Sequence, residues 1–160
     1  NHYFSHLIEV IQEHEGIIVD FFGDAVLVFF DPFDGPLKPI VRKAIDCAFK
    51  MQGSMKEFNR EMLSENLPPL QMGIGINAGE VVVGNIGSTT RAKYGIVGSP
   101  VNLTQRIQST AQEGEVVVSD SVYRYIQKDV RVKREFRIML KGVQDEATLY
   151  GVEAMVTLLE

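Results

Sequence analysis

Two polar side chains in the middle of the chain are spaced so that together they could bind phosphate. Asn102 and Arg106 lie four positions apart in a segment that opens with Ser99-Pro100, which is typical of an N-cap followed by the first helical residue. Residues four apart share one face of a helix, here beside its positive N-terminus. The planar guanidinium of an arginine matches the geometry of phosphate oxygens, so the pair indicates a phosphate site. The alternative interpretation is a polar helix face exposed to solvent, which would show the same spacing.

A carboxylate lies at the tip of a predicted hairpin. Ile17 to Asp20 and Ala25 to Phe30 are short apolar runs on either side of Gly23-Asp24, the pattern of two strands joined by a tight turn. There Asp24 could offer an oxygen ligand to Mg²⁺, which prefers one or two carboxylates together with substrate phosphates. A plain Gly-Asp turn also accounts for the residue, and the local sequence leaves both interpretations open.

A third candidate is Lys141, which precedes a glycine between the last two predicted strands. A lysine at a strand end is most often a solubilising edge residue. Its neighbours alone therefore assign it no chemistry.

An alternation of helices and short strands must position these residues. Apolar spacing predicts helices over residues 1–15, 40–63, 100–111 and 120–127, and strands over 17–20, 25–30, 70–77, 80–86, 92–97, 116–119, 132–140 and 147–153. Several strands are joined by hairpins rather than crossovers. This pattern favours an α+β fold, a two-layer sandwich with a mostly antiparallel sheet.

Composition restricts the class of protein. At 160 residues the chain is one domain by length, spanning residues 1–160. Acidic and basic residues are interleaved and the net charge is −5, so nothing indicates nucleic acid as a partner. The single cysteine excludes an internal disulfide, and no apolar run approaches the roughly 20 residues of a membrane span. We expect a cytoplasmic domain, which leaves open that the parent protein is tethered to a membrane.

The segment from Gly75 to Arg106 resembles the catalytic core of the class III nucleotide cyclases, the adenylate and guanylate cyclase family. Its sequence, GINAGEVVVGNIGSTTRAKYGIVGSPVNLTQR, matches the family pattern of four spaced glycines, an Arg, a Tyr and V-N-x-x-x-R. The matching residues are Gly75, Gly79, Gly84, Gly87, Arg91, Tyr94, Val101, Asn102 and Arg106. Such a long run of fixed spacings is far more specific than a lone glycine motif. Arg91 either closes the substrate pocket or caps the hairpin.

This resemblance implies a ferredoxin-like βαββαβ core and a reaction. ATP would be converted to cyclic AMP and pyrophosphate by in-line attack of the ribose 3′-oxygen, with two Mg²⁺ or Mn²⁺ ions. Asp24 would bind metal, in a hairpin of the family's F-x-G-D form. Asn102 would orient the ribose, Arg106 would neutralise charge on the reacting phosphate, and Lys141 would contact the terminal phosphates.

The resemblance also implies an assembly. In the family, two subunits form a head-to-tail homodimer with shared active sites, to which one subunit contributes the metal residues and the other the ribose and phosphate contacts. We expect sensor or regulatory domains elsewhere in the parent chain.

The family's earlier metal-binding Asp lies on a strand before the first helix. The sequence starts at that helix, so we expect this strand to be missing and the excerpt alone to be weak or inactive.

Two positions associated with base selection depart from the family pattern. Adenylate cyclases typically carry a Lys four residues before the hairpin Asp and a polar residue directly after the Tyr, where this chain has Asp20 and Gly95. Guanylate cyclases usually place Glu at the first position, where it accepts from guanine. We expect ATP because adenylate cyclases dominate the family. A guanylate cyclase using GTP, and a catalytically inactive regulatory or dimerisation module, are the alternatives.

Overall fold

The computed structural model describes residues 2–86, 93–140 and 145–155. Within these ranges the helices are α1 (His2–Glu13), α2 (Leu37–Ser64), α3 (Ser99–Thr110) and α4 (Asp120–Ile126). The strands are β1 (Ile17–Phe22), β2 (Ala25–Phe29), β3 (Ile74–Ile76), β4 (Val82–Ile86), β5 (Lys93–Val97), β6 (Val116–Ser119), β7 (Val130–Met139) and β8 (Glu146–Ala154). None of these helices is both long enough and apolar enough to span a bilayer.

The two largest differences from the predicted element boundaries are at the starts of α2 and β3, and both have physical reasons. Helix α2 begins at Leu37, two residues before Pro39. A proline is tolerated in the first turn of a helix because the N–H that it lacks would have no helical partner there. The strand predicted over residues 70–77 is limited to β3. Side chains of α2 bind the preceding main chain instead: Asn59 bonds both the N–H and the carbonyl of Leu70, and Gln52 donates to the carbonyl of Met72.

The strands pair mostly in antiparallel fashion. One sheet has the order β3-β6-β8-β7, in which only β3 and β6 are parallel. Strands β1 and β2 form one hairpin and β4 and β5 a second, with Val82 opposite Val97. The predicted α+β class with a mostly antiparallel sheet is confirmed.

Helices cover both faces of the four-stranded sheet. On β6, Val116 and Val118 pack against α2 and α4, whereas Val117 packs against Ile107 of α3. This arrangement explains why all of β6 is buried. The β1–β2 hairpin packs with α1 and α2 in a separate cluster that includes Leu7. Helix α3 and the hairpin therefore rest on different parts of the core.

Candidate active site

Helix α3 packs directly against the main chain at Gly75 and Gly79, because these glycines have no side chain to keep the helix away. A Cβ at Gly75 would lie 2.5 Å from the main-chain nitrogen of Gln108, and one at Gly79 would lie 2.6 Å from Cγ of Pro100. Such separations are well inside van der Waals contact, so any side chain at either position would displace the helix. The glycine spacing in the sequence therefore fixes how closely α3 approaches β3 and the residues after it.

The start of α3 differs from the prediction. Ser99 is itself helical and is not the N-cap; Gly98 occupies that position, with φ of 154° and no side-chain cap. A glycine suits this position because a Cβ there would approach the carbonyl oxygen of Glu80 to 3.2 Å. The first turn is held instead through the carbonyl of Pro100, which accepts from Thr104 Oγ1 at 2.7 Å and from Asn77 Nδ2 at 3.1 Å.

Asn102 and Arg106 are both exposed on α3. Their spacing places them one above the other on the helix surface, while Ile107 anchors the buried face. The Arg106 side chain is oriented by a hydrogen bond from Nη2 to the main-chain carbonyl of Met139, at the end of β7. Because five N–H groups are available on a guanidinium, the remaining donors can still reach an anion.

Asp24 lies in the turn of the β1–β2 hairpin, as the sequence predicts. The carboxylate is exposed, and Gly23 before it takes a φ of 63°, which a tight turn requires. Among the described residues, no three His, Cys, Asp or Glu side chains lie close enough together to hold a metal ion. The role of Asp24 as a metal ligand stays a prediction.

The two positions associated with base selection lie on neighbouring strands. Asp20 is half-buried in β1, and its Oδ1 accepts a hydrogen bond from the N–H of Phe21 at 2.9 Å. Gly95 is buried in β5, opposite Gly84 of β4, and β5 lies alongside β1. The roles of Asp20 and Gly95 in binding a base stay predictions.

Lys141, Arg91 and Gly87 lie outside the described residues, as does the side chain of Tyr94. The flanks of Lys141 are described: the N–H of Leu140 donates to the carbonyl of Asp145 at 3.0 Å. Met139, to which Arg106 is bonded, precedes Lys141 by two positions in the sequence.

Sequence reasoning missed several residues that hold α3 in place. Asn77 lies inside the glycine-rich motif and could have been suspected there, since an amide offers both donors and an acceptor. Glu115 and Arg134, which bind each other near the end of α3, had no such signal. Arg134 is one of several basic residues in β7, and nothing in their spacing distinguishes it.

Comparisons with known proteins agree with this fold. The profile of the adenylate and guanylate cyclase catalytic domain matches residues 1–154. An adenylate cyclase of Anabaena cylindrica is 30% identical over 163 residues, covering 96% of this chain and 31% of that protein. The crystal structure of the guanylyl cyclase Cya2 is 39% identical with a TM-score of 0.84, covering 96% of this chain and 78% of that one.

A second solved structure, the adenylyl cyclase CyaB from P. aeruginosa, has the same TM-score of 0.84 at 28% identity, covering 100% of this chain and 83% of that one. The chain belongs to the adenylate and guanylate cyclase catalytic domain family. It spans less than a third of the length of the Anabaena enzyme.

Proposed function

We propose that the protein containing this chain cyclises a purine nucleoside triphosphate. The ribose 3′-oxygen bonds to the α-phosphorus, its proton is released, and the bond to the departing pyrophosphate breaks. One observation carries this proposal: Asn102 and Arg106 are exposed on the same part of α3, and Arg106 bonds to the carbonyl of Met139, the last residue of β7. We propose that the amide of Asn102, the guanidinium of Arg106 and the ammonium of Lys141 together bind the triphosphate.

Each residue has a distinct role in the proposal. Arg106 stabilises negative charge on the α-phosphoryl group in the transition state, because its planar fork can bind two phosphate oxygens. Asn102 orients the ribose so that the 3′-oxygen faces the phosphorus, an intramolecular geometry that itself lowers the barrier. Lys141 holds the leaving pyrophosphate.

Asp24 is proposed as a ligand of two Mg²⁺ or Mn²⁺ ions. Its exposed carboxylate at a hairpin tip suits a hard cation that keeps several water and phosphate ligands. When bound, such ions would lower the proton affinity of the 3′-oxygen and disperse charge on the phosphates.

We propose that the site is shared between two copies of the chain. Asp24 and Arg106 are carried by elements that rest on different core clusters, which suits residues that meet across an interface. The β4–β5 hairpin also carries a directly paired and exposed apolar couple, Val82 at 73% and Val97 at 63% exposure. We propose that this apolar couple contributes to the contact between the two subunits.

Regulation is proposed to come from other parts of the whole protein, because its relatives are several times longer than this chain. Rotation of one subunit against its partner would open or close the shared site.

ATP is the first candidate substrate, because curated relatives from Anabaena cylindrica and Rhizobium meliloti are named adenylate cyclases. GTP is the second, and Asp20 favours it. A carboxylate can accept from both N1–H and the 2-amino group of guanine, whereas adenine N1 needs a donor that a carboxylate lacks. The 39% identity to a guanylyl cyclase points the same way.

The test is product analysis by the full-length protein with ATP and with GTP, in Mg²⁺ and in Mn²⁺, for the wild type and for Asp20→Lys. Cyclic AMP from the wild type would support ATP. Cyclic GMP, with a lower GTP-to-ATP preference in Asp20→Lys, would support GTP and make Asp20 a base contact. No cyclic product from a folded dimer would contradict the proposal and favour an inactive regulatory module.

A further inference from the structure

The C-terminal end of α3 is held by an ion pair between Glu115 and Arg134. Arg134, on β7, donates from Nε to Oε2 and from Nη2 to Oε1 of Glu115, both at 2.8 Å. The same Nη2 donates to the main-chain carbonyl of Thr110, the last residue of α3, also at 2.8 Å. A two-pronged contact fixes both side chains in one arrangement, so the pair links β7 and the residue before β6 to the end of the helix.

The surroundings of the ion pair hold it in this arrangement. The Glu115 side chain is only 10% exposed and the Arg134 side chain 32%, and Glu115 Oε1 also accepts from the N–H of Gln112 at 2.9 Å. The Arg134 guanidinium lies 4.1 Å from the ring centre of Phe136. The carboxylate of Glu115 lies over Gly151, and a Cβ at Gly151 would be 2.2 Å from Oε2 of Glu115. A glycine in the middle of β8 is thus what makes room for Glu115.

The other charged pairs on β7, among the described residues, have no such connection. Arg131 and Lys133 both pair with Glu153, and Arg137 pairs with Glu146; the side chains in these pairs are 39% to 68% exposed. Exposed pairs of this kind contribute little to stability. They provide matched controls of the same residue type on the same strand.

Strand β7 therefore contacts α3 through hydrogen bonds at two successive turns of the helix. One runs from Arg106 to the carbonyl of Met139, and the other from Arg134 to the carbonyl of Thr110.

We propose that Glu115 and Arg134 are positioning residues: they fix α3 against β7 so that Asn102 and Arg106 meet the nucleotide in the reactive geometry. This inference rests on the proposed function, because it concerns the same site.

The first test is steady-state kinetics of the full-length protein and of Arg134→Met, Arg134→Lys, Glu115→Gln and the control Arg131→Met. We expect Arg134→Met to lower kcat by about tenfold to a hundredfold with KM within about threefold, since small misplacements of catalytic groups reduce turnover steeply. Arg134→Lys should fall between Arg134→Met and the wild type, because it keeps the charge and loses the fork. Arg131→Met should match the wild type.

Some kinetic outcomes would overturn the inference. One is an equal kcat in Arg134→Met and Arg131→Met. Another is a lower kcat of Arg134→Met that returns to the wild-type value when the assay is run well below the unfolding temperature of the variant. Such a loss of kcat would come only from unfolded protein. If Arg134→Met does not fold, Arg134→Lys and Glu115→Gln decide by the same criteria.

The second test does not need activity. Amide hydrogen exchange is measured along α3 in the wild type, Arg134→Met and Arg131→Met. Faster exchange across the whole helix, including residues 102–106, only in Arg134→Met would support positioning; faster exchange confined to the residues next to Thr110 would overturn it. If the wild type makes no cyclic nucleotide, the proposed function fails, and the exchange result still decides whether this ion pair positions α3.

Discussion

The guanidinium of Arg106 donates a hydrogen bond to the main-chain carbonyl of Met139. This contact joins the exposed face of α3 to the end of β7, so that the helix residue and the segment leading to Lys141 are held as neighbours. The contact is made by a side chain on one element and a backbone group on another, which a sequence pattern does not reveal. It supports the proposal that α3 is the phosphate-binding element.

Replacing Asp24 should remove activity and leave the fold intact. Asp24→Asn keeps the shape of the hairpin turn and removes the carboxylate, so we expect turnover to fall on the order of 100-fold or more in Mg²⁺. Activity is measured against Mg²⁺ and Mn²⁺ concentration, with Asp46→Asn on the exposed face of α2 as the control. Asp24→Asn with the metal dependence of the wild type would remove Asp24 from the metal site.

Two inactive variants should restore activity when they are mixed. If one subunit supplies Asp24 and its partner supplies Arg106, a heterodimer of Asp24→Ala and Arg106→Ala contains one intact site and one doubly altered site. Random exchange would then recover about one quarter of wild-type activity, because half of the dimers carry half of the sites. Activity is followed as a function of mixing ratio. A mixture no more active than its components would show that the two residues do not meet across an interface.

Adding a methyl group beneath α3 should destabilise the domain. Gly75→Ala brings a Cβ against the backbone of Gln108, so we expect the free energy of unfolding to fall by about 1–3 kcal/mol. Gly53→Ala is the control: nothing lies within 4 Å of its Cβ, and alanine in a helix is favoured by up to about 1 kcal/mol. Urea unfolding measures both. A Gly75→Ala protein as stable as the wild type would contradict the close approach described for α3.

Acid should weaken the fold partly through Glu115. The hydrogen bonds and charge of Arg134 lower the pKa of Glu115 below its usual value of 4.5. A carboxyl with a lowered pKa in the folded state stabilises the protein above its unfolded pKa and loses that contribution as the pH falls through the folded value. The free energy of unfolding of the wild type should therefore decline below about pH 4.5 more steeply than that of Glu115→Gln.

The same measurement on Glu146→Gln provides the comparison, since Glu146 pairs with Arg137 on the exposed side of the same strand. Parallel stability curves for the wild type and Glu115→Gln would mean that the ion pair with Arg134 contributes nothing.

Local patterns in the sequence were sufficient for much of the fold. The hairpin around Gly23-Asp24, the buried strand β6 and the helix bearing Asn102 and Arg106 all follow from turn residues and apolar spacing, and each is present. These features depend on neighbours in sequence, which is why they could be predicted.

Features that depend on distant residues could not be predicted in this way. Ser99 resembles an N-cap by type, but the close approach of Glu80 to Gly98 makes the glycine the residue before the helix. The strand predicted from Leu70 onward is shortened because Asn59 takes both main-chain groups of Leu70. Contacts such as that of Arg134 with Thr110 join segments whose proximity exists only in the folded chain.

The most direct test of the proposed cyclase activity is to measure cyclic nucleotide and pyrophosphate formed by the full-length protein, its Arg106→Ala variant and the control Gln105→Ala, an exposed neighbour on α3. We predict that the wild type and Gln105→Ala release the two products in equal amounts, and that Arg106→Ala is slower by on the order of 100-fold or more while remaining folded. Absence of a cyclic product from folded wild type, or wild-type turnover in Arg106→Ala, would contradict the account.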